Sequence, residues 1–160
     1  MKQLYLILSS LLLMAILIPF HKSMAVYPDA PLFTHFVYMA GHANILHWLI
    51  NAWALFVLHN LFTMVRWVVA YICAVVLSFC YYSELPVLGA SVFVSFFSGF
   101  MLIWLWKRHR LIFWQLLALI CIGFFIPHVA AMYHLAMLLA GLLFNRIEWL
   151  IADYKYFTSR

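Results

Sequence analysis

Charge is what this chain has least of. Of its 160 residues nine are Lys or Arg and four are Asp or Glu, so 8% carry a charge while 69% are apolar. Soluble domains average about 25% charged residues, and a mean hydropathy of +1.08 leaves too little polar surface to coat one. The composition therefore predicts an integral membrane protein of a single domain. The formal charge of +5 does not read as a nucleic-acid footprint, because nine scattered cations show no interleaving of arginine with aromatic residues. Cysteine is scarce too: Cys73, Cys80 and Cys121 stand singly in apolar segments, at no paired or metal-binding spacing. That excludes a disulfide framework and a thiolate site, and leaves them as small core or lipid-facing residues. Five glycines and five prolines make no flexible linker, low-complexity tract or repeat.

Long apolar runs are what is abundant. Six can be laid out, near Leu4 to Phe20, Ala43 to Phe62, Val65 to Tyr82, Leu85 to Trp106, Leu111 to Ile126 and Ala130 to Ile151. At about 17 to 22 residues and ~1.5 Å per residue, each is sufficient for a ~30 Å hydrocarbon core. The punctuation agrees: Lys22, Pro28, Asp29 and Pro31 fall in the first connection, Glu84 and Pro86 in the middle, Lys107, Arg108 and Arg110 in a basic turn, and Pro127 before the last run. Lys2, Arg66, Lys107, Arg108, Arg110, Arg146, Lys155 and Arg160 fall on one side of this layout and only Lys22 on the other. By the positive-inside rule both termini are cytoplasmic, and Trp104, Trp106, Trp149, Tyr154 and Tyr156 suit interfacial belts. Lys2 and Ser23-Met24-Ala25 loosely resemble a signal peptide and its cleavage site, but the long apolar region, with His21 and Lys22 before the cut, favours a retained span.

Polar side chains placed at membrane depth are functional candidates by default. The segment HANILHWLIN, from His42 to Asn51, holds two histidines and an asparagine at such a depth. His47 and Asn51 are four residues apart, so a helix stacks them on one face. His42 falls off that face, and Gly41 before it places it at the helix mouth. A second group is Leu88-Gly89-Ala90-Ser91, where Ser91, Ser95 and Gly99 make a small-residue stripe that admits a neighbouring helix closely. In the last run His134 and Gly141, seven apart, lie on nearly one face, and Ala136 and Ala140 form another small pair. Counting residues from the outer ends puts all three groups in one leaflet. Three polar groups satisfying one another inside a bundle is the bland alternative, as is a serine that merely packs.

A serine and a histidine at matched depth suggest a nucleophile and its base, since imidazole takes the hydroxyl proton during attack and returns it to a leaving amine. The developing oxyanion needs donors placed in advance, and His47, Asn51 and the Ser91 backbone N–H are available for that. A haem or metal bundle is the competing use of eight histidines. His42 and His47 lack the i, i+4 spacing for two ligands on one face, and only Asp29 and Glu84, both in connections, offer carboxylates nearby. His21, His59 and His109 sit at run edges, His128 beside Pro127 in a connection, and His35 is open to either reading; Ser78, Ser83 and Ser98 read as packing residues.

In these residues the chain resembles the rhomboid intramembrane serine proteases. The likeness runs in order through the sequence: a polar first loop with Phe33-Thr34-His35, HANILHWLIN opening the second run, Gly89-Ala90-Ser91 opening the fourth, and HLAMLLAG from His134 in the sixth. The resemblance implies an all-α, six-transmembrane-helix bundle with Ser91 and His134 as catalytic dyad, His47 and Asn51 at the oxyanion hole and His42 assisting. It implies no cofactor, membrane lipid as surroundings, a bacterial inner membrane as location, and transmembrane proteins as substrates, cleaved near the outer face after local helix unwinding. The family usually has glycine after the serine, an aromatic four residues on, and glycine three residues beyond the histidine. Here those places hold Val92, Ser95 and Met137. The size exchange between Ser95 and Met137 suggests that one fills what the other vacates. The first loop lacks the family's common Trp-Arg pair. An inactive rhomboid-like protein that binds transmembrane clients without cutting them is the alternative.

Overall fold

The computed structural model describes residues 2–58, 63–80, 86–125 and 130–158. His59, Ser83, Glu84, Pro127 and His128, together with the run ends placed at Phe62, Tyr82, Leu85 and Ile126, lie outside them. The described residues are helical: α1 (Lys2–Ile16), α2 (His21–Met24), α3 (Thr34–Val37), α4 (Ile45–Val57), α5 (Met64–Cys80), α6 (Ser91–Arg108), α7 (Arg110–Gly123) and α8 (Ala131–Thr158). No strand forms among them, so the class is all-α. Each apolar run of the sequence holds one long helix, but the lengths differ from expectation. Among the described residues one helix segment, Ala131–Tyr154 in α8, is both long and apolar enough to cross a membrane. The other long helices have 13 to 18 residues.

The shortening has local causes. Asn44 adopts an extended backbone and its Oδ1 accepts the His47 N–H at 2.9 Å, so α4 starts at Ile45 instead of Ala43. Ahead of α6 the chain stays extended from Pro86: Val26 and Val87 exchange two backbone hydrogen bonds, 3.0 and 2.8 Å. Gly89 then turns at φ +116°, a conformation open to glycine. Ser91 is thus the first residue of α6, where counting from Leu85 had put it more than a turn inside. The expected basic turn reduces to one residue, His109, between α6 and α7.

The core is built on α6 and α8, which run parallel and make the closest helix pair. Glycines allow it. A Cβ on Gly99 would strike the Leu138 carbonyl, and one on Gly141 the Phe96 carbonyl. Phe93, Phe96, Phe97, Tyr133 and Met137 fill the space around this crossing, and Trp67 of α5 stands edge-on to Phe93 at 4.5 Å. The connection from α1 to α4 is anchored rather than loose. Its Tyr38 hydroxyl donates to the Ala74 carbonyl of α5 at 3.0 Å, and His35 stacks on Phe79 with Nδ1 3.1 Å from the Ser78 hydroxyl. Ser78 donates onward to Val75, so His35 Nδ1 is the donor to Ser78 and both residues are structural. At the other end Arg66 of α5 grips Glu148 of α8 through Nε at 3.0 Å and Nη2 at 2.7 Å, with its guanidinium over the Phe100 ring. The three cysteines are free.

Candidate active site

Ser91 Oγ lies 2.9 Å from His134 Nε2. At that distance a neutral imidazole protonated on Nδ1 accepts from the hydroxyl. Both side chains are half-buried and line one cavity of about 110 Å³, together with His47, Val87, Leu88 and Tyr133. The close α6 to α8 crossing fixes their register. Gly99 is two turns beyond Ser91 and Leu138 one turn beyond His134, so the tightest backbone approach lies directly beneath the pair.

The backbone leading into Ser91 is held at successive points. The Val87 N–H bonds Val26 and the Gly89 N–H bonds the Tyr38 carbonyl at 3.0 Å. The Ala90 N–H reaches His42 Nε2 at a long 3.5 Å. His42 is fully buried in the turn ahead of α4, with its ring 5.2 Å from that of His47. Burial foremost, and the neighbouring His47 next, push its imidazole down to about 4, opposed by a backbone interaction with Ala40. A neutral ring can keep Nε2 as an acceptor. His42, expected to assist at the oxyanion hole, thus bonds the segment that carries Ser91.

His47 and Asn51 do share a face of α4, and that face turns toward Gly89. A Cβ at Gly89 would fall 2.7 Å from His47 Cε1, 3.1 Å from His47 Nε2 and 3.7 Å from Asn51 Nδ2. Asn51 is buried, and its Nδ2 has no hydrogen-bond acceptor. A buried amide donor left unpaired costs about 1–3 kcal/mol, and such a group calls for an explanation. Here the unpaired donor lies across from Gly89, two residues before Ser91.

Of the residues where the sequence departs from the resemblance, Val92 is buried and lines the cavity, Met137 is in the core, and the Ser95 hydroxyl donates to the Ser91 carbonyl at 2.9 Å. Sequence reasoning passed over Tyr133, which lines the cavity, and Tyr38 and the Val26 to Val87 pairing, which hold the segment ahead of Ser91. Tyr133 adjoins His134 in sequence, which was a usable signal. Pairing between two loops leaves none. Among the described residues no three His, Cys, Asp or Glu side chains gather as metal ligands would. No family model matches the chain, and neither curated proteins nor solved structures give a significant match.

Proposed function

We propose that the chain is a multi-pass intramembrane serine protease of rhomboid type, working by a Ser91 and His134 dyad. The observation that carries the reading is the 2.9 Å contact of Ser91 Oγ with His134 Nε2, together with the unpaired Asn51 donor across from Gly89. In the proposed cycle His134 Nε2 takes the Ser91 proton as Oγ bonds to the scissile carbonyl carbon. The carbonyl oxygen gains the negative charge and accepts hydrogen bonds from Asn51 Nδ2 and His47. The imidazolium then gives its proton to the leaving amine as the C–N bond breaks, which leaves an acyl-serine. Water, deprotonated by His134, attacks that ester, and the returned proton restores Ser91.

The membrane setting has its own support. Leu46, Ile50 and Trp53 of α4, Val68 and Ile72 of α5, and Leu139, Leu143 and Leu150 of α8 are all exposed. Apolar surface of that extent on several helices is costly in water and suits lipid. In this reading the six apolar runs of the sequence are six spans, with both termini cytoplasmic by the distribution of Lys and Arg, in a bacterial inner membrane. Substrates are transmembrane segments cut near the end of the bundle that holds Ser91.

A cavity of about 110 Å³ admits water but no peptide, which favours a second reading, a client-binding protein that does not cut. One assay separates them. The purified chain in detergent is given a labelled single-span substrate; cleavage that disappears in Ser91→Ala and in His134→Ala supports the protease, and wild-type cleavage no faster than Ser91→Ala leaves the binder.

A further inference from the structure

A groove of about 580 Å³ opens between α6, α7 and α8, well away from the dyad. Its place follows from register: Lys107 is 16 residues beyond Ser91 and Arg146 is 12 beyond His134, so the parallel helices carry both cations to the opposite end of the bundle, roughly 18–24 Å away at ~1.5 Å per residue. The walls are apolar, with Phe113 of α7 facing Leu139 and Leu143 of α8, and Trp106 beside Lys107. Leu139, Leu143 and Arg146 follow one stripe of α8, at i, i+4 and i+7.

Lys107 and Arg146 are exposed, and neither has a carboxylate partner among the described residues. Glu148, the acidic residue nearest Arg146 in sequence, is taken by Arg66. Two unneutralised cations therefore cap an apolar trough of the size that holds a drug-sized ligand, ~300–1,000 Å³. A tryptophan at the rim suits the headgroup level. A free anion would leave the trough unfilled, and a neutral lipid would leave the cations unpaired.

We propose that this groove is a binding site for one anionic phospholipid of the cytoplasmic leaflet, with the phosphate between Lys107 and Arg146 and an acyl chain along Leu139 and Leu143. It rests on the membrane reading above but not on the dyad. The geometry also predicts that occupancy ties α7 to α6 and α8 at their basic end.

The test uses the full chain in neutral detergent and native mass spectrometry, with dioleoylphosphatidylglycerol and dioleoylphosphatidylcholine as probes of identical chains. We expect one phosphatidylglycerol retained, and a loss of about tenfold in Lys107→Gln/Arg146→Gln, consistent with the attraction of basic residues to anionic lipid. Arg108→Gln/Lys155→Gln, which removes equal charge elsewhere, should stay within about twofold of wild type on the same ground. Leu143→Trp, which fills the trough and keeps the cations, should lose the lipid as well. Equal loss in the charge control, equal retention of phosphatidylcholine, an undiminished Leu143→Trp, or a second copy of the chain held in place of lipid each overturns the site. Release of the chain from membranes by alkaline carbonate overturns instead the membrane reading on which it rests.

Discussion

Gly99 and Leu138 meet backbone to backbone: the place a Gly99 Cβ would take is already filled by the Leu138 carbonyl. With the Gly141 to Phe96 contact it sets how α6 and α8 slide past each other, and so which residues of those two helices face the cavity. Gly99→Ala must push the helices apart or bend them. Overpacking of this kind costs about 1–3 kcal/mol or more. The expected result is a lower melting temperature in detergent together with lost hydrolysis; unchanged melting would show that the crossing is looser than described.

Asn51 gives a prediction of a different kind. Its buried Nδ2 is unpaired, so under the proposed cycle removing it gives up a transition-state contact and no resting hydrogen bond of that nitrogen. Asn51→Ala should lower kcat by ~10²–10³ with KM nearly constant and melting little changed. A fall in KM-dependent terms alone, or a large loss of stability, would make Asn51 a structural residue.

His42 predicts a pH dependence of stability. Its folded pKa, pushed down to about 4, lies below the ordinary value near 6.5. The folded state resists the proton that the unfolded chain takes up, so the contribution is complete above about pH 6.5 and is lost as pH falls toward 4. The shift corresponds to a few kcal/mol at most, at ~1.4 kcal/mol per unit. Melting followed from pH 7.5 to 4 should decline in wild type and decline less steeply in His42→Gln, and parallel curves would show that His42 carries none of the dependence.

Arg66 and Glu148 join α5 to α8 with both side chains partly exposed, 22% and 31%. Exposed pairs contribute only ~0.2–1 kcal/mol, but the two-point grip and the Phe100 ring under the guanidinium raise that expectation to the upper end. A double-mutant cycle with Arg66→Ala and Glu148→Ala should show positive coupling of about 1 kcal/mol. Strict additivity would mean that the two groups stabilise the fold separately.

Much of the site was legible because polar residues are so rare here. With few candidates, matched depth was enough to bring Ser91, His134, His47 and Asn51 into one hypothesis, and helical periodicity put the last two on one face. Helix limits were less legible. Hydropathy does not see that the Asn44 side chain satisfies an orphan N–H and starts α4 late, or that the Val26 to Val87 pairing keeps the chain extended until Ser91. Contacts between distant elements were least legible of all: nothing in the local pattern linked Arg66 to Glu148, or His42 to the Ala90 N–H.

The central claim is that His134 activates Ser91, and a substrate-independent measurement tests it most directly. A fluorophosphonate incubated with the purified chain should lose fluoride to the Ser91 hydroxyl and leave an adduct that peptide mass spectrometry maps to Ser91. The account predicts labelling at Ser91 in wild type, none in Ser91→Ala, and a rate at least ~10² lower in His134→Ala. No adduct in a folded wild-type chain, or an adduct at Ser91 formed equally fast without His134, would contradict it.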